Sequence, residues 1–277
     1  MRLIFILLST LSLFSACAIK NVEKAELKIM SFNIRYNEPN DGENNWIYRR
    51  QACVDMINEH SPDVVGIQEG LIDQVHFLDS ALTSYVYVGV GRDSLMKNNE
   101  YSAVFYRTDK LKLEGSSTFW LSETPEIPSK GWDAKYQRIV TWAKFRNLRD
   151  EKEFVVMNTH FDHKGSVAKI ESAKLIAQKA AELSGDTLMI FTTGDFNTVP
   201  DDELLNPIYT YMKSAKAEAL ITDSMGTTNS FKVARGEKVI DYIFYRNAIA
   251  KVCHTITKDY GVPYISDHYP ILATFEY

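Results

Sequence analysis

Three cysteines in 277 residues, Cys17, Cys53 and Cys253, are too few for a disulfide scaffold. No Cys or His cluster completes a tetrahedral zinc site around His160 and His163. Basic excess is also missing: 31 Lys and Arg face 36 Asp and Glu, a formal charge of −5, which argues against a chain that wraps long nucleic acid. A small phosphorylated substrate held by a metal remains compatible with that balance. No proline- or glycine-rich linker and no repeat divides the chain, so it reads as one domain. Gly89-Val90-Gly91 lacks the third glycine of a dinucleotide fingerprint and reads as a turn. What is present is core-forming material, 45% hydrophobic and 12% aromatic residues, the composition of a folded globular protein.

The one concentrated apolar run, Leu3 to Phe14 behind Arg2, is too short for a stable membrane span and reads as a secretory leader. Two cleavage readings compete. Phe14-Ser15-Ala16-Cys17 resembles a bacterial lipobox in which Cys17 is lipidated; Ala16-Cys17-Ala18 fits ordinary secretory cleavage. A cysteine closing such a run favours the first. The expected layout is a leader with lipobox over residues 1–17, a tether over 18–26 and a folded domain over 27–277. The protein is then expected outside the cytoplasm, held to a membrane by an N-terminal lipid, with a soluble secreted form as the alternative. Cys53, in a helical pattern, and Cys253, in a strand, are expected as buried unpaired thiols.

Eleven strand-like runs follow the leader, from LKIMSFNI to YPILATFEY. Helical spacing of apolar residues predicts helices over Trp46–His60 and Val167–Ser184, with weaker ones over Leu71–Leu82 and Asp201–Met212. Strands with helices between only some of them predict an α/β fold of two mixed sheets packed face to face, helices outside. The loop Ser122–Lys135 is the least regular segment and a place for specificity.

Polar residues recur where those strands end: Asn33, Glu69, His160, Asp195 with Asn197, Asp241, and Asp267-His268. A carboxylate among apolar neighbours is costly to bury unless a cation or histidine partners it. Singly, each could be a cap; together they supply metal-type carboxylates, two histidines and orienting amides, the inventory of phosphate ester hydrolysis.

The ordered set SFNIR, GIQE, NTHFDH, GDFN, IDYIF and SDHYP resembles the endonuclease/exonuclease/phosphatase (deoxyribonuclease I-like) superfamily, from about Leu27 to Tyr277. The resemblance implies a four-layer α/β/β/α sandwich. It implies Glu69 as principal Mg²⁺ ligand, with Asn33 beside it and Asp267 near the metal or its waters; Mn²⁺ is the alternative ion. It implies that His268, oriented by Asp241, activates water or holds the phosphate. Asp195 would position the nucleophile or handle a proton, and Asn197 would donate to phosphoryl oxygens. His160 would bind phosphate or protonate the leaving oxygen, with Glu100 as its partner.

Arg138 and His163 are further substrate candidates, as is Trp132 in the irregular loop; Trp120 and Trp142 are expected in the core. The Trp-Cys-Asp-Arg stretch of the inositol 5-phosphatases is replaced here by Val239-Ile240-Asp241-Tyr242. The expected function is Mg²⁺-dependent hydrolysis of a small or nucleotide-like phosphate ester outside the cytoplasm, by a monomer. An extracytoplasmic nuclease acting on nucleic acid is the second reading, and a non-catalytic surface binding protein the third.

Overall fold

The structure, a computed structural model, describes residues 25–93, 99–232 and 238–277. The leader with Cys17, and the tether up to residue 24, lie outside the described residues. The first elements are β1 (Glu26–Asn33), α1 (Trp46–His60), β2 (Val64–Gln68), α2 (Ile72–Ala81), β3 (Tyr85–Val88) and β4 (Val104–Arg107). Then come β5 (Leu111–Trp120), β6 (Ile139–Asn147), β7 (Glu153–His160), α3 (Ser166–Ser184) and β8 (Met189–Asp195). The chain finishes with β9 (Lys213–Ser214), β10 (Ile221–Thr222), β11 (Asp241–Arg246), β12 (Ile249–Thr255) and β13 (Ile271–Glu276). All eleven expected strands form, and the two-residue β9 and β10 join them.

One sheet runs β10-β12-β13-β1-β2-β4-β3 and the other β5-β6-β7-β8-β11-β9. Each has a central parallel pair, β1 with β2 and β7 with β8. Parallel neighbours need a long crossover, and α1 and α3 supply it. β2 and β8 are buried along their whole length, which explains why they read as unbroken apolar runs without alternation.

Three buried clusters define four layers. Ile29, Val64, Phe145, Phe154, Phe191 and Phe275 pack between the sheets. Met56 and Ile57 of α1 pack with Met30, Val65 and Ile67 behind the first sheet. Ala173, Ile176 and Ala180 of α3 pack with Val155, Met157 and Ile190 behind the second. Each fully buried large side chain contributes about 1.5–3 kcal/mol, so these layers fix the strands whose ends carry the polar residues. Cys53 and Cys253 are buried free thiols in different layers, as expected.

The expected helix over Asp201–Met212 forms only as a 3-10 turn, Glu203–Leu205, and one helical turn, Asn206–Tyr209. Pro207 is the reason: it is tolerated in a first turn but not in a helix interior. Trp142 packs partly buried against the outer core of the second sheet. Trp120 is half-buried instead of core, its Nε1 donating to the Arg92 carbonyl at 2.9 Å.

A polar lock joins the sheets below the strand ends. Asn158 donates to the carbonyls of Ile67 (2.7 Å) and Ala103 (2.9 Å) and accepts from Gln68 Nε2 (2.7 Å) and Thr193 Oγ1 (2.9 Å). Gly66 permits this approach, since a Cβ there would lie 2.1 Å from Thr193 Oγ1. On the other side of the first sheet, Arg49 of α1 is buried and donates to the carbonyls of Ile34, Arg35 (2.8 Å) and Ile265 (3.1 Å). It thereby ties the end of β1 to the segment that carries His268.

Candidate active site

The parallel pairs end at one edge of the sandwich, where open α/β sheets place their ligands. Asn33 ends β1, Glu69 follows β2, His160 ends β7 and Asp195 ends β8. The ladder aligns His160 with Asp195, and Asp195 with Asp241 of antiparallel β11. His268 is brought in by Ser266, whose hydroxyl donates to the Asn33 carbonyl at 2.7 Å. Chain direction thus explains why site residues end some strands and precede others.

Glu69, His160, Asp195, Asn197 and His268 line one pocket of about 400 Å³, with Glu100, Arg138 and His163 on its walls. Asp241 lies beneath, bonded through Oδ2 to His268 Nδ1 at 2.8 Å. Three pocket residues, Arg35 (φ 54°), Glu69 (φ 64°) and Asn197 (φ 48°), hold left-handed backbone conformations that side chains disfavour. The polar ends of the strands are bent into the pocket at these points.

Asn33 Nδ2 donates to Glu69 Oε1 and to Asp195 Oδ2, both at 3.0 Å. Two carboxylates thus converge on one position, and oxygen or nitrogen atoms of Glu69, His160 and Asp195 lie within 4.8 Å of one another. A hard divalent cation that keeps most of its water needs one or two such carboxylates, so the donor set fits it. The Asn33 amide oxygen instead accepts from Arg35 N at 3.0 Å, so Asn33 bridges the carboxylates instead of facing the cation position with oxygen. Asp267 stands apart from that convergence; its carboxylate lies 3.9 Å from Arg35 Nε.

Burial would raise the Glu69 carboxyl, but the Asn33 amide, the His268 charge and the Tyr36 N–H hold it below its usual range. Asp195 goes the other way, pushed up to about 7 by burial and by the charge of Asp241. Burial disfavours a charged His268; the Asp241 charge and hydrogen bond overcome it and raise the ring well above 6.5. His160 is kept well below 6.5 by burial and by Arg138 and Arg92. The two imidazoles are therefore shifted in opposite directions, His268 toward its charged form and His160 toward its neutral one. His160 Nε2 accepts from Asn197 Nδ2 at 3.0 Å, which leaves it without the second proton that an acid needs.

The expected Glu100–His160 pair is loose, 3.8 Å from Oε2 to Nδ1. Arg92 is the cause: its Nη1 and Nη2 take both Glu100 oxygens at 2.8 and 2.6 Å. Trp132 is not brought into the pocket; it lines a separate depression with Glu171 and Lys174 of α3. From the same loop Asp133 caps α3, accepting from Ala168 N at 2.7 Å, and it is Tyr136 that reaches the pocket. Arg138 is buried, at 4% exposure, and faces the pocket as expected of a substrate candidate. Arg35, Tyr36, Arg92 and Tyr136 are pocket residues that sequence reasoning missed. Arg92 carried one usable signal, its place eight residues before Glu100 across the β3–β4 connection.

The Endonuclease/Exonuclease/phosphatase family model matches residues 30–268. Among solved structures, the endonuclease/exonuclease/phosphatase from Bacteroides vulgatus is 38% identical, with TM-score 0.86 over 91% of this chain and 99% of that one. The mannosyl-6-phosphatase of Bacteroides thetaiotaomicron VPI-5482 is 33% identical, with TM-score 0.87 over 91% and 100%. Nocturnin of Drosophila melanogaster is 26% identical over 314 residues, 92% of this chain but 47% of that protein, so this chain spans about half its length. The chain belongs to the endonuclease/exonuclease/phosphatase family and is a phosphoesterase hydrolase by that membership.

Proposed function

We propose that this protein is a Mg²⁺-dependent phosphoesterase that hydrolyses a small phosphorylated substrate outside the cytoplasm, anchored by a lipid on Cys17. The supporting observation is the convergence of Glu69, Asp195, Asn197, His160 and the Asp241–His268 pair on one pocket of about 400 Å³. That volume suits a sugar- or nucleotide-sized ligand, and similarity to a mannosyl-6-phosphatase supports the sugar phosphates first.

Glu69 and Asp195 would hold the cation, which when bound polarises a phosphoryl oxygen and stabilises charge in the transition state. His268, fixed by Asp241 through Nδ1 and with its proton affinity raised by that carboxylate, is suited to donate from Nε2 to a phosphoryl oxygen. Asp195, whose Oδ2 takes the Asn33 amide and lies 3.8 Å from His268 Nε2, would position the attacking water between the cation and that imidazole. Asn197 spends its two amide N–H groups on His160 Nε2 (3.0 Å) and the Phe161 carbonyl (3.1 Å), and so holds the His160 ring in place beside the phosphate position.

Glu69→Gln and His268→Ala, assayed on mannose 6-phosphate with and without Mg²⁺, test this reading. Turnover requires the ion and falls about 1,000-fold or more in both variants, several kcal/mol of transition-state stabilisation. Turnover in chelator, or a Glu69→Gln enzyme of normal rate, refutes it. Mass spectrometry of the mature N-terminus tests the anchor, and an unmodified chain beginning beyond Cys17 refutes it.

A further inference from the structure

Opposite the carboxylates the pocket has a basic end. Arg138 precedes β6 and is 4% exposed, yet its Nε and Nη1 have no hydrogen-bond partner among the described residues. Its Nη2 reaches only His163 Nδ1, at 3.4 Å, and its Nε lies 3.6 Å from Asp162 Oδ2. A buried guanidinium with idle N–H groups is costly unless an anion accepts from them.

Asp162 cannot be that acceptor. Its Oδ2 takes the N–H groups of Lys135 (3.0 Å) and Tyr136 (3.2 Å), and its Oδ1 those of Lys164 and Gly165 (both 2.9 Å). Burial would raise its carboxyl, but the N–H groups of Gly165, Lys164 and Lys135 and the charge of Arg138 bring it down to about 2, so it stays a fixed counter-charge behind the guanidinium. Arg92 differs from Arg138 because its fork is closed on Glu100.

Space narrows at this end. Behind Arg138 and His160 lies only a crevice of about 10 Å³, bounded by Arg92, Glu100, Ser102 and Ile139. It admits a water and no second ester arm. A phosphomonoester brings three non-bridging oxygens and, with a second pKa of about 6, close to two charges at pH 7. A diester brings two such oxygens, one charge and a second arm.

We infer that Arg138, braced by Asp162 and flanked by His163, is a terminal-phosphate subsite that makes this pocket select phosphomonoesters over phosphodiesters. The inference rests on the phosphoesterase reading of the same pocket and adds to it the class of ester.

The test compares p-nitrophenyl phosphate with bis(p-nitrophenyl) phosphate on wild type, Arg138→Met and Arg138→Lys, with thermal melts beside them. Met keeps the packing, and Asp162 keeps its four backbone donors, so the variant is expected to fold. Wild type favours the monoester. Arg138→Met loses about 100-fold in monoester kcat/KM, the loss typical of one removed oxyanion donor, and less than about 3-fold on the diester. Arg138→Lys, which also stands in if the Met variant does not fold, restores part of the monoester rate. Equal losses on both esters, or wild-type preference for the diester, overturn the subsite.

Inorganic phosphate binding by calorimetry separates the two levels. If wild type turns over neither ester yet binds phosphate through Arg138, the subsite stands and the catalytic reading falls. Phosphate binding that Arg138→Met leaves unchanged sinks the subsite whatever the activity.

Discussion

At one end of the pocket, Asn33, Glu69, Asp195 and Asp241 sit at the ends of central strands; at the other, Arg92, Arg138, His163 and Tyr136 sit on the segments between strands. The acidic end is placed by ladder register: His160 opposite Asp195, and Asp195 opposite Asp241. The basic end is placed by local bonds, the four N–H groups on Asp162 and the closed Arg92–Glu100 fork. A register can move only with the sheet, whereas a loop-borne arginine can change without disturbing it. The contrast assigns reaction chemistry to the first end and substrate choice to the second.

Asp241→Asn breaks the acidic end hardest among the substitutions that leave the carboxylates at the cation position intact. Asparagine keeps the shape but removes the charge that favours protonated His268, and the expected loss is about 100-fold in kcat/KM, roughly 2.7 kcal/mol. Because the folded pKa of His268 lies above 6.5, its stabilising share is fully present below 6.5 and lost as pH rises through the folded value. NMR titration of the imidazole should show that raised value in wild type and a fall in Asp241→Asn. An unchanged titration would break the assignment of His268 as the charged group.

Asn158→Leu probes the joint between the sheets, with a smaller expected effect. It strips partners from Gln68, Thr193 and two buried carbonyls, at a cost of about 3 kcal/mol read as a lower Tm. Glu69 and Asp195 come from opposite sheets, so divalent metal affinity should weaken with it. Monoester preference should survive. A variant that keeps its metal affinity but loses its ester preference would reverse the contrast.

The strand ends were legible because each breaks an apolar run, and a polar residue in such a place is conspicuous. Trp46–His60 was legible to the residue, since its apolar spacing and the Asn45 side-chain cap act locally. The Asp201–Met212 helix failed because helical spacing was weighed without Pro207. Arg92 and Arg138 carried little signal, one on a loop and the other at a strand entry, where an exposed ion pair is the ordinary fate of an arginine. Only the tertiary fold buries Arg138 and closes Arg92 on Glu100, which in turn loosens the expected Glu100–His160 pair. Trp132 misled for the opposite reason: it lies in the right loop, but Gly131 packs against the Leu121 carbonyl and the indole sits beside α3.

Crystals grown with Mn²⁺, examined by anomalous scattering, put the convergence of Glu69 and Asp195 to the most direct test. A single strong peak is expected within about 2.0–2.3 Å of a Glu69 carboxylate oxygen, the range for a hard divalent ion, and the peak should vanish in Glu69→Gln. A peak elsewhere on the protein, or one that persists in that variant, would contradict the account.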